Sequence, residues 1–223
     1  SGGYRMLSGD EVGYALGWWA TLRPGDRNTL AQSLVSGGML ESIARTAGLE
    51  YRQTLTGFKW IGRIPTLRFG YEEALGYCVD PEAVSDKDGI TAALAVSTLA
   101  AHLKAKNRTL QDKLDDLATE HGVHATKQVS VRVTDLSRIT EVMTALRTQP
   151  PTSIGGLAVT RFIDLEAGTD LPPTDGLLFE LEGNARVIIR PSGTEPKVKA
   201  YLQSVIQVTE DLAAARGQSD SQI

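Results

Sequence analysis

The 223-residue chain predicts two domains in series: an α/β domain with a mixed, mostly parallel sheet covered by helices over residues 1–121, then an α+β domain over 122–223 with an antiparallel sheet and helices on one face. Three observations carry this. Helical and strand signals alternate through the first half, as in strands joined by helical crossovers. Beyond Gly122 strand candidates dominate, with a helix between the first two. The length suits two ordinary domains, and with 41% hydrophobic and 22% charged residues the composition is that of a globular chain with a packed core.

The elements follow in order. Ser8-Gly9-Asp10-Glu11 reads as a capping box, and Val12, Leu16 and Trp19 continue it at helical spacing until Arg23-Pro24-Gly25. A strand is expected over Leu30 to Val35, a helix from Met39 to Ala47 with Gly48 in the left-handed conformation after it, and a strand from Tyr51 to Thr54 leading into a turn at Thr56-Gly57. Leu67 to Phe69 forms another strand, followed by an acidic turn at Glu72-Glu73. From Ile90 to Leu103 the sequence is apolar or small nearly all round, which predicts a helix buried against a sheet, opened at Asp88-Gly89 with Asp86-Lys87-Asp88-Gly89 as its N-cap segment and Asp88 or Asp86 complementing the positive helix end. Leu110, Leu114 and Leu117 mark a last helix that ends at His121-Gly122. In the second domain Val129, Val131 and Val133 alternate with polar residues as a half-buried strand, and Ile139, Val142, Met143 and Leu146 define a helix closed by Pro150-Pro151. Strands are expected over Leu157 to Ile163, Leu177 to Leu181, Ala185 to Ile189 and Val198 to Leu202, with a hairpin turn at Glu182-Gly183-Asn184. A short helix covers Thr209 to Arg216, with a frayed tail from Gly217.

Charge and cysteine content narrow the function classes. With 23 basic and 27 acidic side chains the net charge is −4, which argues against a nucleic-acid partner. One cysteine, Cys78, cannot form an internal disulfide and reads as a small strand hydrophobe in a reducing compartment. No apolar stretch approaches the ~20 residues of a membrane span, and the start lacks a signal-peptide run, so a soluble cytoplasmic protein with no membrane partner is expected. His121 and His124 stand without a cysteine or carboxylate cluster, so no metal site is expected in the chain.

The stretch richest in chemistry is Arg190-Pro191-Ser192-Gly193-Thr194-Glu195-Pro196-Lys197. Arg190 offers a planar fork for two phosphate oxygens, Ser192 and Thr194 offer hydroxyl donors, and Gly193 lets an N–H approach closely. A phosphate cradle and a plain strand-connecting turn both fit these residues. Glu72 and Glu73, on a glycine-flanked turn, suit the paired hydroxyls of a sugar, or are solvent-exposed turn residues. Lys59, between Phe58 and Trp60, is a point charge for a phosphate or a surface lysine with its stem over Trp60.

In order, T-G-F-K-W-I, F-G-Y-E-E-A-L-G, D-K-D-G and R-P-S-G-T-E-P-K resemble the α-D-phosphohexomutase superfamily, the phosphoglucomutases and phosphomannomutases. The resemblance covers about Gly9 to Leu202 and implies the third and fourth of the family's four domains, 1–121 and 122–223. It implies that Glu72 and Glu73 form the sugar-binding loop, that Arg190, Ser192, Gly193 and Thr194 grip the phosphate not being transferred, that Lys59 lies near the ligand phosphate, and that the two loops open onto one cleft. Ala74 stands where some phosphoglucomutases carry serine, which leaves the preferred sugar open. No T-A-S-H-N-like serine loop or D-x-D-x-D-R-like loop is present, so the resemblance implies no catalytic residue here, Mg2+ bound outside this chain, and the preceding domains as partners of a hexose phosphate site. Starting just after the expected metal loop, the chain reads as a truncation, inactive alone; a non-catalytic phosphosugar-binding module is the alternative.

Overall fold

A computed structural model describes residues 4–193 and 195–222. The chain divides between His121 and Gly122 into two compact units. In the first, helix α1 (Gly9–Thr21) begins with the reciprocal Ser8–Glu11 capping box. The sheet order is β2-β1-β3-β4, built from β1 (Thr29–Ser33), β2 (Glu50–Thr54), β3 (Leu67–Glu72) and β4 (Gly76–Cys78). β1 runs parallel to both β2 and β3, while β4 turns back antiparallel to β3. Between the strands lie α2 (Met39–Thr46) and α3 (Phe58–Ile61), and after them α4 (Gly89–Lys104) and α5 (Leu110–His121).

The two faces of this sheet carry different cores. Leu30, Phe69, Tyr71 and Tyr77 pack with Tyr14 and Leu16 of α1, Leu40 and Ile43 of α2, Ala92 of α4 and Leu117 of α5. Ala31 and Cys78 pack with Phe58 and Ile61 of α3 and with Leu67. Leu67 and Phe69 belong to opposite faces because the β1–β3 register slips between Thr29 and Leu30, leaving Arg68 as the extra residue. All five residues of β1 are buried, Thr29, Gln32 and Ser33 included.

The second unit holds a six-stranded antiparallel sheet in the order β5-β10-β9-β8-β7-β6. Its strands are β5 (Val123–Arg132), β6 (Ser153–Ile154), β7 (Leu157–Asp164), β8 (Leu177–Leu181), β9 (Ala185–Pro191) and β10 (Lys197–Ile206). Helix α6 (Ser137–Thr148) lays Met143 onto Leu177, Phe179, Leu181 and Val187, with Ala200 and Leu202 packed against the same cluster. Helix α7 (Leu212–Gln222) docks where Ser204 and Ser219 share a 2.6 Å hydrogen bond. Leu202 and Ser204 point the same way on β10, so both helices lie on one face.

Several local expectations are corrected. Glu72 ends β3 rather than lying in the turn, because the strand extends three residues past Phe69. Helix α4 is not buried all round: Ala92, Leu99 and Leu103 face inward, while Ile90 and Leu94 are 83% and 68% exposed. Val129 and Val131 are exposed, since β5 is an edge strand whose outer half has no covering helix. The last helix starts at Leu212, not Thr209, and runs on to Gln222 because buried Ser219 anchors it. Short α3 and β6 were not anticipated. No helix among the described residues is long and apolar enough to cross a membrane.

Candidate functional site

In a sheet whose central strand sends its crossovers to opposite sides, the carboxyl ends of the parallel strands open a crevice. β1 ends at Ser33 and β3 at Glu72, so the loop of 34–38 and the turn of 73–75 flank this position. Gly57, held at φ 108 before α3, donates its N–H to Glu72 Oε1 at 2.7 Å. Lys87 approaches from the segment before α4, its Nζ 3.8 Å from Glu72 Oε2. Glu72 thus joins three sequence-distant motifs at one carboxylate that is largely shielded from water. Lys59, two residues beyond Gly57, is exposed with its Nζ 5.5 Å from the Trp60 ring centre.

Glu73 is held separately. Its N–H donates to Ser36 Oγ at 3.1 Å, and its Oε2 lies 3.3 Å from the hydroxyls of both Ser33 and Ser36. Burial raises the Glu73 carboxyl above the ordinary range, and Asp10 raises it further. Asp10, buried in the first turn of α1, accepts from Gly37 N–H at 2.8 Å and from the Tyr71 hydroxyl at 2.9 Å. Leu75, at the tip, takes a left-handed φ of 63° and is exposed, the kind of unfavourable backbone that collects in functional loops. Gly9 lets α1 reach this turn: a Cβ there would sit 1.8 Å from the Glu73 carbonyl oxygen. Gly9→Ala is expected to cost about 1–3 kcal/mol and displace the turn; an unchanged midpoint in thermal unfolding would contradict this close approach.

In the second unit, Ser192 N–H donates to Lys197 O at 2.8 Å and closes the β9–β10 loop. Glu195 is bonded by Lys197 at 2.5 Å and by Arg132 at 3.1 Å, which hold its carboxyl below the usual range. Arg190 and Lys199 are direct cross-strand partners, two cations side by side, and among the described residues no carboxylate oxygen lies within 4.0 Å of either. Directly opposed like charges are unfavourable in a sheet unless an anion joins them. Gly193 has neither a positive φ nor any neighbour within 4 Å of a would-be Cβ, so the fold itself does not demand glycine there. Thr194 lies outside the described residues.

The structure therefore gathers Glu72, Glu73 and the Lys59 turn in the first unit, and Arg190, Ser192 and Gly193 on one loop of the second. Sequence reading missed Lys87, Ser33, Ser36, Asp10 and Lys199. Within the D-K-D-G motif Asp88 alone caps the helix, accepting from Ile90 and Thr91, and Lys87 turns toward Glu72. Lys199 was in principle detectable, since equal spacing from the loop pairs it with Arg190. Among the described residues no three His, Cys, Asp or Glu side chains assemble as a metal site.

The chain thus carries an α/β/α unit and an antiparallel unit, each with its own polar loop. The description Phosphoglucomutase/phosphomannomutase, alpha/beta/alpha domain III matches residues 8–121, and the C-terminal domain of the same family matches residues 129–214. The chain belongs to the phosphoglucomutase/phosphomannomutase family. A Haemophilus influenzae protein named Probable phosphomannomutase is 48% identical over 204 residues, covering 91% of this chain and 42% of that protein. A human phosphopentomutase is 32% identical over 99% of this chain and 40% of its own length. The open form of a Paramecium phosphoglucomutase, parafusin, shares the fold with a TM-score of 0.65 at 20% identity, covering 96% of this chain and 40% of that one. The chain spans about two fifths of the length of these relatives.

Proposed function

We propose that this chain is the sugar- and phosphate-recognising part of a phosphosugar mutase that interconverts sugar 1-phosphates and 6-phosphates. The observation that carries the reading is the pair of adjacent cations Arg190 and Lys199 beside Ser192 and Gly193, with no carboxylate oxygen of the described residues within 4.0 Å of either, a charge arrangement that a phosphate dianion would complete. Glu72 and Glu73 supply hydrogen-bond acceptors for ring hydroxyls, and Lys59 and Lys87 supply positive charge near them. On this proposal a phosphoserine donates its phosphoryl group, a 1,6-bisphosphate reorients, and Mg2+ counters charge in the transfer, both groups lying on parts of the protein beyond this chain. This chain's residues bind and orient: Arg190 and Ser192 hold the idle phosphate while the acidic turn presents the sugar.

A protein carrying this chain with the preceding family domains is expected to turn over glucose 1-phosphate, mannose 1-phosphate or ribose 1-phosphate, with the ranking of rates fixing the sugar. The chain alone is expected to bind glucose 1,6-bisphosphate in calorimetric titration without turnover. Absence of saturable heat at millimolar ligand would defeat the recognition role, and binding by the longer protein with no turnover of any of the three would favour a non-catalytic module.

A further inference from the structure

Ser36 sits on the loop between β1 and α2 and is fully buried, so it cannot touch a ligand. Its hydroxyl nonetheless meets the acidic turn twice, accepting from Glu73 N–H at 3.1 Å and lying 3.3 Å from Glu73 Oε2. It also lies 2.8 Å from Ser33 Oγ, which is itself 3.3 Å from Glu73 Oε2.

Each hydroxyl has one proton, and an ionised carboxylate has none. Ser33 and Ser36, 2.8 Å apart, therefore share one hydrogen bond and leave one hydroxyl proton for Glu73 Oε2, which lies 3.3 Å from both. Ser36 is the member of the pair that also accepts from the Glu73 N–H. The loop is fixed from behind as well: Gln32 Nε2 donates to Gly37 O at 2.9 Å, and Gly37 N–H is held by Asp10.

We propose that Ser36 is a positioning residue for sugar recognition, clamping the backbone and carboxylate of Glu73 from a buried loop. The inference rests on the sugar-reading role proposed above for Glu73. The charged and titratable groups that act on Glu73 include Asp10 from α1, Glu72 from β3 and Tyr77 from β4. Burial and Asp10 push the Glu73 carboxyl up, while the Ser36 hydrogen bond acts in the opposite direction and favours the ionised form. Deleting the Ser36 hydroxyl therefore moves the titration of Glu73 further up, so Glu73 loses charge at a higher pH.

The test is an NMR titration of the Glu73 side-chain carboxyl in this chain, as wild type, Ser36→Ala and Ser33→Ala. The midpoint is expected to rise in Ser36→Ala and to rise less in Ser33→Ala, because Ser36 holds both the backbone and the carboxylate of Glu73 while Ser33 reaches the carboxylate alone. An unchanged midpoint in folded Ser36→Ala, or a larger rise in Ser33→Ala, overturns the proposal. If Ser36→Ala does not fold, Ser36→Cys keeps nearly the same volume with a much weaker donor and is read the same way. Glucose 1,6-bisphosphate is expected to bind Ser36→Ala about tenfold more weakly than wild type. Failure of the wild type to bind defeats the sugar-reading role of Glu73, on which the proposal rests, while the titration still shows whether Ser36 holds the carboxylate; equal affinity of Ser36→Ala and wild type overturns the proposal.

Discussion

Arg190→Ala in a protein that carries this chain with the preceding family domains is expected to lower kcat/KM for sugar phosphates by about 10²–10³-fold, from loss of a bidentate, charge-assisted grip. The geometry gives the reason. Arg190 projects beside Lys199 on the same face of the β9–β10 pair, and Ser192 and Gly193 close the loop above them. Removing the guanidinium leaves one point charge that cannot hold two phosphate oxygens in a plane. Arg190→Lys is expected to recover only part of the loss for the same reason. The buried thiol of Cys78 faces α3 on the first unit's sheet, and Cys78→Ser is expected to leave kcat/KM near wild type. Steady-state kinetics on the three variants checks this, and equal efficiency for Arg190→Ala and Cys78→Ser would remove the phosphate-cradle assignment.

Arg68→Met is expected to destabilise the first unit strongly, costing about 3 kcal/mol and lowering Tm by about 10 °C. The Arg68 guanidinium is buried beneath the 20–27 segment, donating to the carbonyls of Arg23 at 2.6 Å, Gly25 at 2.8 Å and Ala20 at 3.3 Å, and also to that of Arg27. Arg23 reciprocates by donating to Arg68 O at 2.8 Å and Val79 O at 2.6 Å. Methionine fills similar space but takes the guanidinium away from the carbonyls of Arg23, Gly25 and Arg27, while the Ala20 carbonyl keeps the Arg23 N–H, and shielded acceptors left unmet cost more than the bonds themselves are worth. Arg68 lies four residues before Glu72, about 13 Å along the strand, so ligand binding is expected to survive below the lowered Tm. Circular dichroism melting measures this, and a fall smaller than about 2 °C would show that the carbonyls find water instead.

Local signals were readable where chain neighbours settle the outcome. Ser8 and Glu11 cap each other three residues apart, and Asp88 caps α4 from its own first turn, so both starts follow from sequence. What depends on distant partners was not readable. The polar residues Gln32 and Ser33 are buried in β1 because the loop of 34–38 and Glu73 satisfy them. Ile90 and Leu94 look like core by composition, yet the core meets α4 through Ala92, Ala95, Val96, Leu99 and Leu103, leaving the Ile90–Leu94 face outside it. Motif order gave Glu72, Glu73 and Arg190 as neighbours of chemistry, but not that Glu72 is already engaged by Gly57 and Lys87. That division of labour between adjacent carboxylates needs coordinates, because two glutamates one residue apart are indistinguishable until their strand ends between them.

The single cysteine has a practical consequence. Burial pushes the Cys78 thiol up to about 11, and its Sγ donates to Val84 O at 3.3 Å. At neutral pH almost none of it is thiolate, so maleimides and iodoacetamides find little to attack. The native chain is in effect a blank background for thiol-directed probes. A cysteine introduced at exposed Ala74 would then carry a fluorophore on the acidic turn without first stripping out the natural one.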